Sequence, residues 1–160
     1  MIGSISSMVP VVDVRLDAPV KQLEAERAWV SDRLAACLPH LGGAIARVTV
    51  EVIDDHRMAA LHERFSHVPG TTDVLTFPAS GPGEPVEVDL AVCVDEAARQ
   101  SRARGHDLRQ ELLLYALHGV LHCMGFDDRT PDEHARMHAE EDRILQAIGL
   151  GAVYAREERP

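Results

Sequence analysis

His118 and His122 are the pair in this chain best spaced for metal chemistry. Helix positions i and i+4 share one face. Both imidazoles can therefore reach a single ion, as in helix-borne zinc sites. Gly125 stands three residues after His122 and can end the helix in a left-handed conformation at little steric cost. The chain can then turn back and bring Asp128 to the same ion. Carboxylate oxygen is an acceptable zinc ligand, and three protein ligands with an open fourth position describe a catalytic rather than a structural centre. Two histidines and an aspartate would also suit iron or manganese. The expectation is one divalent metal ion, zinc favoured, held by His118, His122 and Asp128 in the active site of a small hydrolase.

The spacing resembles the HExxHxxGxxH arrangement of metzincin peptidases, with aspartate in the last place. In those enzymes the residue after the first histidine is the general-base glutamate. Here it is Gly119, so a peptidase lacks its base, although an ion can still activate water by lowering its pKa. His134 and His138 form a second i,i+4 pair. No glycine turn and third ligand follow it, and it reads as a solvated surface pair. Cys123 is displaced about 100° around the helix from His122 and reads as a packing residue.

The elements that must position these residues are legible from periodicity. Residues 8–15 alternate apolar and polar, a strand signal. Residues 20–38 have helical spacing closed by Pro39, and 46–53 form a clean β-branched strand. Asp54 or Asp55 can cap a short helix through Arg64. A Pro69–Gly70 turn leads into TDVLTFP, a strand ended by Pro78, and ASGPGEP is a loop. A strand over 86–94 is followed by a helix capped by Asp95 and ending near Gly105. A long helix then spans Asp107 to Met124, and a last one Pro131 to Ile148. On the long helix, Leu108, Leu112, Ala116 and Val120 would pack into the core, while Glu111, Tyr115 and the two histidines form a more polar stripe. The order β-α-β-α-β-β-α-α-α implies an α+β fold. One mixed sheet of about four strands would carry about five helices, with the metal site on the long helix and the turn after it.

The bulk properties bound the function. The length of 160 residues suggests a single domain over 1–160. With 46% hydrophobic but only 4% aromatic residues, the core must be aliphatic. Three cysteines and no CxxC pair argue against a disulfide framework and fit a reducing compartment. MIGSISSMVP has no basic leader followed by a long apolar stretch, and no run approaches the roughly 20 apolar residues of a membrane span. A cytoplasmic protein without a membrane partner is expected. The net charge of −10 speaks against broad, charge-driven nucleic-acid binding. The densest basic cluster, Arg99, Arg102, Arg104 and Arg109, reads as a solvated helix end.

His118-Gly119-Val120-Leu121-His122 with Gly125-Phe126-Asp127 resembles the HGxLHLxGYDH motif of the YbeY family. These are bacterial rRNA maturation factors described as metal-dependent, single-strand-specific endoribonucleases. Thr72-Asp73-Val74-Leu75-Thr76-Phe77-Pro78 is similar to the family's TDVLSFP, and Asp89-Leu90-Ala91-Val92-Cys93 to its strand GDIxIx, with Val88 in place of the glycine. The segment Glu133 to Leu145, with Met137, is similar to its acidic final helix. The resemblance is strongest over 45–150. It implies phosphodiester hydrolysis in single-stranded RNA, in 16S rRNA 3′-end maturation and ribosome quality control, with the ribosome or small-subunit proteins as partners. Two positions depart from the family: Asp128 replaces its third histidine, and Ser66 stands where it carries an arginine acting on the substrate phosphate. Arg64, two residues away, reads either as a substitute for that arginine or as a solvated helix charge. Asp127 reads as an acceptor orienting a ligand imidazole, as a proton acceptor, or as a turn residue. TTDVLTFP can line the cleft above the metal helix, beside an extended substrate. Two alternatives remain: a zinc peptidase of HxxxHxxGxxD type, and a non-catalytic ribosome-assembly factor whose metal is structural.

Overall fold

The computed structural model describes residues 9–151. Four strands, β1 (Val11–Leu16), β2 (Ile45–Ile53), β3 (Val74–Pro78) and β4 (Val86–Cys93), form one sheet in the order β1-β2-β4-β3. β1 and β2, and β2 and β4, pair in parallel, while β3 pairs with β4 antiparallel and forms an edge. Five helices accompany the sheet: α1 (Glu24–Cys37), α2 (Asp55–Ser66), α3 (Val94–Arg104), α4 (Leu108–Cys123) and α5 (Pro131–Ala147). This is the mixed-sheet α+β architecture expected from the sequence. Residues 1–8, including Met8 of the strand expected over 8–15, lie outside the described residues.

Alternation along β2 and β4 divides the sheet into two unequal faces. Val14, Val48, Val50, Val52, Val88, Leu90 and Val92 face the main core with α1, α4 and α5, and all are at most 3% exposed. Ile53, Ala91 and Cys93 point the other way and pack with Met58 of α2. The rest of that second face is polar: Arg47 bonds Thr49 and Asp89, both at 2.7 Å, and also pairs with Glu87. α2 and α4 therefore lie on opposite faces of the sheet.

α4 is the central element. It packs on β3 and β4 and is flanked by α1, α3 and α5. Every residue from Glu111 to Leu117 is buried. The more polar stripe of Glu111 and Tyr115 therefore lies inside the protein, like the face of Leu112, Ala116 and Val120. The seat on the sheet explains Gly119. A Cβ there would lie 2.6 Å from Leu90 Cδ2 and 3.3 Å from both Leu90 Cδ1 and Thr76 Oγ1. Only glycine allows the helix this close an approach.

Local signals set the helix ends. Asp107 caps α4 in a capping box with Gln110, and Thr130 caps α5 with Glu133 and a proline in the first turn. Asp54 caps α2 by accepting from the Arg57 N–H. Asp95 does not cap α3, whose cap residue is Cys93. Its carboxylate instead accepts the Asp55 N–H at 2.7 Å, tying α3 to the start of α2.

Candidate metal centre and cleft

The turn after α4 closes as the sequence suggested. Gly125 has φ +98°, the Phe126 N–H reaches the Leu121 carbonyl at 3.1 Å, and the Gly125 N–H reaches that of His122 at 3.2 Å. These two bonds make a Schellman motif that reverses the chain. The Asp127 carboxylate accepts the Asp128 N–H at 2.9 Å and faces Arg129 at 3.3 Å. The turn so held directs Asp128 back toward α4.

His118, His122 and Asp128 consequently converge. Their Nε2, Nε2 and Oδ2 atoms stand 3.1, 3.5 and 3.8 Å apart. Ligand atoms at about 2.0–2.1 Å from a tetrahedral zinc stand roughly 3.3 Å from one another, so the triangle has the size such an ion requires. The donor chemistry agrees. His118 Nδ1 lies 3.1 Å from Glu141 Oε2, and a carboxylate can only accept, so the proton sits on Nδ1. His118 Nε2 then presents a lone pair toward His122 Nε2 and Asp128. Among the described residues this is the only group of three or more potential ligands so arranged. The side chains are 19, 31 and 36% exposed, so the centre opens to solvent instead of being closed like a structural site.

Glu141 has no exposed surface, and its second oxygen has no hydrogen-bond partner. Burial raises its pKa, and the adjacent His118 opposes that rise. Burial also disfavours protonated His118, but the Glu141 hydrogen bond and charge outweigh it, so the His118 pKa lies above its ordinary value. A carboxylate behind a ligand imidazole fixes its tautomer and ring orientation. The sequence carried a signal for this residue: Glu141, with the adjacent Asp142, places charge among the apolar residues Met137, Ile144 and Leu145 on the buried side of α5.

Two clefts meet at the centre. One, of about 550 Å³, is lined by His118 and Asp128 together with Thr71, Thr72, Asp73, Arg104, Tyr115, His134 and His138. The other, of about 720 Å³, runs from His122 and Met124 under the glycine- and proline-rich loop 80–85. They adjoin opposite ends of edge strand β3. TTDVLTFP thus lines the site, at Thr71–Asp73 on one side and Pro78 on the other.

Other expected residues fall elsewhere. Arg64 is exposed at the end of α2 with its guanidinium 5.3 Å from the Phe65 ring. It does not line the cleft, because α2 lies on the sheet face opposite α4. Ser66 closes the same helix. Asp127 lines neither cleft and serves the turn. Of the arginine cluster, Arg99, Arg102 and Arg109 are exposed as expected, Arg99 pairing with Asp55 and Glu96, but Arg104 is not a solvated charge: it is half-buried and binds Glu111, which has no exposed surface and also accepts from His106. His134 and His138 are likewise not a bare surface pair. Their ring centroids are 3.9 Å apart, and they line the same cleft as His118. Partial burial, reinforced by the charges of His134, His118 and Arg104, lowers the His138 pKa to about 4.

A family profile described as Endoribonuclease YbeY matches residues 16–149. Proteins named Endoribonuclease YbeY from Mycobacterium tuberculosis, Mycobacterium ulcerans and Mycolicibacterium paratuberculosis are each 39% identical over 112 residues. That alignment covers 63% of this chain and 63% of each relative, so the match spans under two thirds of the relatives' length. The solution structure of TM1509 from Thermotoga maritima is similar in fold, with a TM-score of 0.53 at 19% identity over 86% of this chain and 91% of that one.

Proposed function

This chain belongs to the YbeY endoribonuclease family, and from that premise we propose that it hydrolyses phosphodiester bonds in single-stranded RNA with one divalent metal ion. His118, His122 and Asp128 are the ligands, and zinc suits a centre of two imidazoles, one carboxylate and an open position. The observation that carries this reading is the convergence of the three ligand atoms where two clefts meet. A divalent ion held there supplies Lewis acidity at a phosphate oxygen and lowers the pKa of water. The chain's own part is orientation: Glu141 holds the proton on His118 Nδ1, and Asp127 fixes the turn that presents Asp128. Edge strand β3, with a cleft at each end, offers a path for an extended strand. The close seat of Gly119 leaves no place for a peptidase glutamate, and the opening of the centre to solvent speaks against a purely structural metal. By family the RNA is 16S rRNA at its 3′ end, in maturation and ribosome quality control. The work takes place in the cytoplasm with small-subunit proteins as neighbours. No described helix is long and apolar enough to cross a membrane.

The test is cleavage of labelled single- and double-stranded RNA by the purified protein with zinc or manganese, beside His118→Ala. Cleavage of the single strand alone, abolished in a variant that keeps its circular dichroism, is the expected result. A wild-type protein inert toward single-stranded RNA with every metal tried would end the nuclease reading.

A further inference from the structure

We propose that Arg104 and Tyr115 form a phosphate subsite in the cleft beside the metal centre, where they hold a phosphate of the single-stranded RNA substrate. The inference rests on the nuclease reading above and adds to it two residues that neither the ligand set nor the family motifs contain.

Tyr115 is 5% exposed, and its hydroxyl has no hydrogen-bond partner among the described residues. Buried hydroxyls are almost always paired, so an orphan needs a reason. Tyr115 is among the residues lining the cleft and stands one helical turn before His118 on the same face of α4. A ligand oxygen in the cleft would complete it. Burial, together with the carboxylates of Glu111, Asp73 and Glu96, pushes the phenol pKa well above its ordinary value, so the group is a hydrogen-bond donor.

Arg104 supplies the charge. It is the only arginine or lysine lining this cleft among the described residues. The other ionised groups there include Asp73, Glu96 and Asp128, which repel a phosphate. Arg104 Nη1 is anchored 2.9 Å from Glu111 Oε2 on α4, seven residues before His118. A guanidinium held by a fully buried carboxylate is preorganised, so little conformational freedom is lost on binding. Its planar fork suits phosphate better than a lysine would. Arg64 does not compete for the role, since it lies on the opposite face of the sheet.

The competing explanation is that Arg104 only neutralises Glu111. RNA binding separates the two. Anisotropy of a short, fluorescently labelled single-stranded RNA is measured with EDTA present, across a range of salt, for the wild type, Arg104→Gln, Arg104→Lys and Tyr115→Phe. Metal content and KM and kcat are measured in parallel. The subsite predicts that Arg104→Gln weakens binding roughly ten- to hundredfold and reduces the slope of log affinity against log salt by about 0.7. Arg104→Lys recovers part of both. Tyr115→Phe weakens binding roughly fivefold with the slope unchanged, and metal content stays constant throughout. If Arg104→Gln does not fold, Tyr115→Phe decides alone. Wild-type affinity in both Arg104→Gln and Tyr115→Phe, in a protein that cleaves single-stranded RNA, overturns the subsite and leaves the nuclease reading standing. A wild-type protein that neither binds nor cleaves RNA overturns both.

Discussion

Gly119→Ala tests how tightly the metal helix is seated. Two effects oppose each other. Alanine in a helix interior is favoured over glycine by about 1 kcal/mol. The added methyl, however, would lie 2.6 Å from Leu90 Cδ2, where carbon atoms prefer about 3.5–4.0 Å. Leu90 Cδ1 and Thr76 Oγ1 stand at 3.3 Å around the same point and Leu90 is 2% exposed, so the neighbours have little room to give. Overpacking of this kind costs about 1–3 kcal/mol. The net expectation is a loss of up to about 2 kcal/mol, or roughly 4–8 °C in Tm for a chain of this size. Metal affinity should fall as well, because a shift of α4 carries His118 away from Glu141. Combining the change with Leu90→Ala isolates the clash. Leu90→Ala alone costs about 2–5 kcal/mol. In that background Gly119→Ala should become neutral or stabilising by about 1 kcal/mol, since the obstructing methyls are gone. Thermal melts of the four proteins, with metal titrations, complete the cycle. If Gly119→Ala stabilises the otherwise unaltered protein by the full propensity gain and leaves metal affinity intact, α4 does not sit on the sheet as described.

Glu141→Gln should lower metal affinity about 10- to 100-fold, as loss of a carboxylate behind a ligand imidazole typically does; competition with a fluorescent chelator measures it. Glu111→Gln leaves Arg104 and His106 facing an uncharged group and should destabilise by about 3–5 kcal/mol, visible in urea unfolding. His138 gives a pH signature. Its pKa of about 4 in the fold lies below the ordinary histidine value of 6.5, so between those values the unfolded chain binds more protons. Stability of the metal-chelated protein therefore falls as pH drops from 6.5 toward 4. His118, whose pKa is raised, acts above that window and in the opposite sense: its contribution is present below pH 6.5 and lost as pH rises. His138→Gln should flatten the acid limb of Tm against pH, and an unchanged limb would contradict the assignment.

The element order was readable because the local signals agreed with the tertiary outcome. Alternating valines marked β2, and the last two helices were legible as starting near Asp107 and Pro131. Gly125 marked the turn that delivers Asp128. Residues whose roles depend on which face of the sheet they reach were not readable. Arg64 stands close in sequence to TTDVLTFP, yet α2 packs against Ala91 and Cys93 while α4 packs against Leu90 and Val92. The parity of positions along β4 thus separates Arg64 from the metal. His134 and His138 followed no turn signal, and only the packing of α5 beside α4 brings them to the cleft. Tyr115 and Glu111 were visible as a stripe, but its burial comes from three flanking helices that no pattern within α4 announces. Glu141 could have been found, because a glutamate on an apolar stripe needs a partner.

The central claim is that His118, His122 and Asp128 hold one metal ion. Elemental analysis of the purified protein, set beside Asp128→Ala and His122→Ala, tests it most directly. The expected result is about one equivalent of a divalent metal per chain, zinc foremost, falling sharply in both variants while their circular dichroism stays that of the folded protein. Wild-type protein that holds no metal even after incubation with zinc and manganese, or variants that retain the full equivalent, would contradict it.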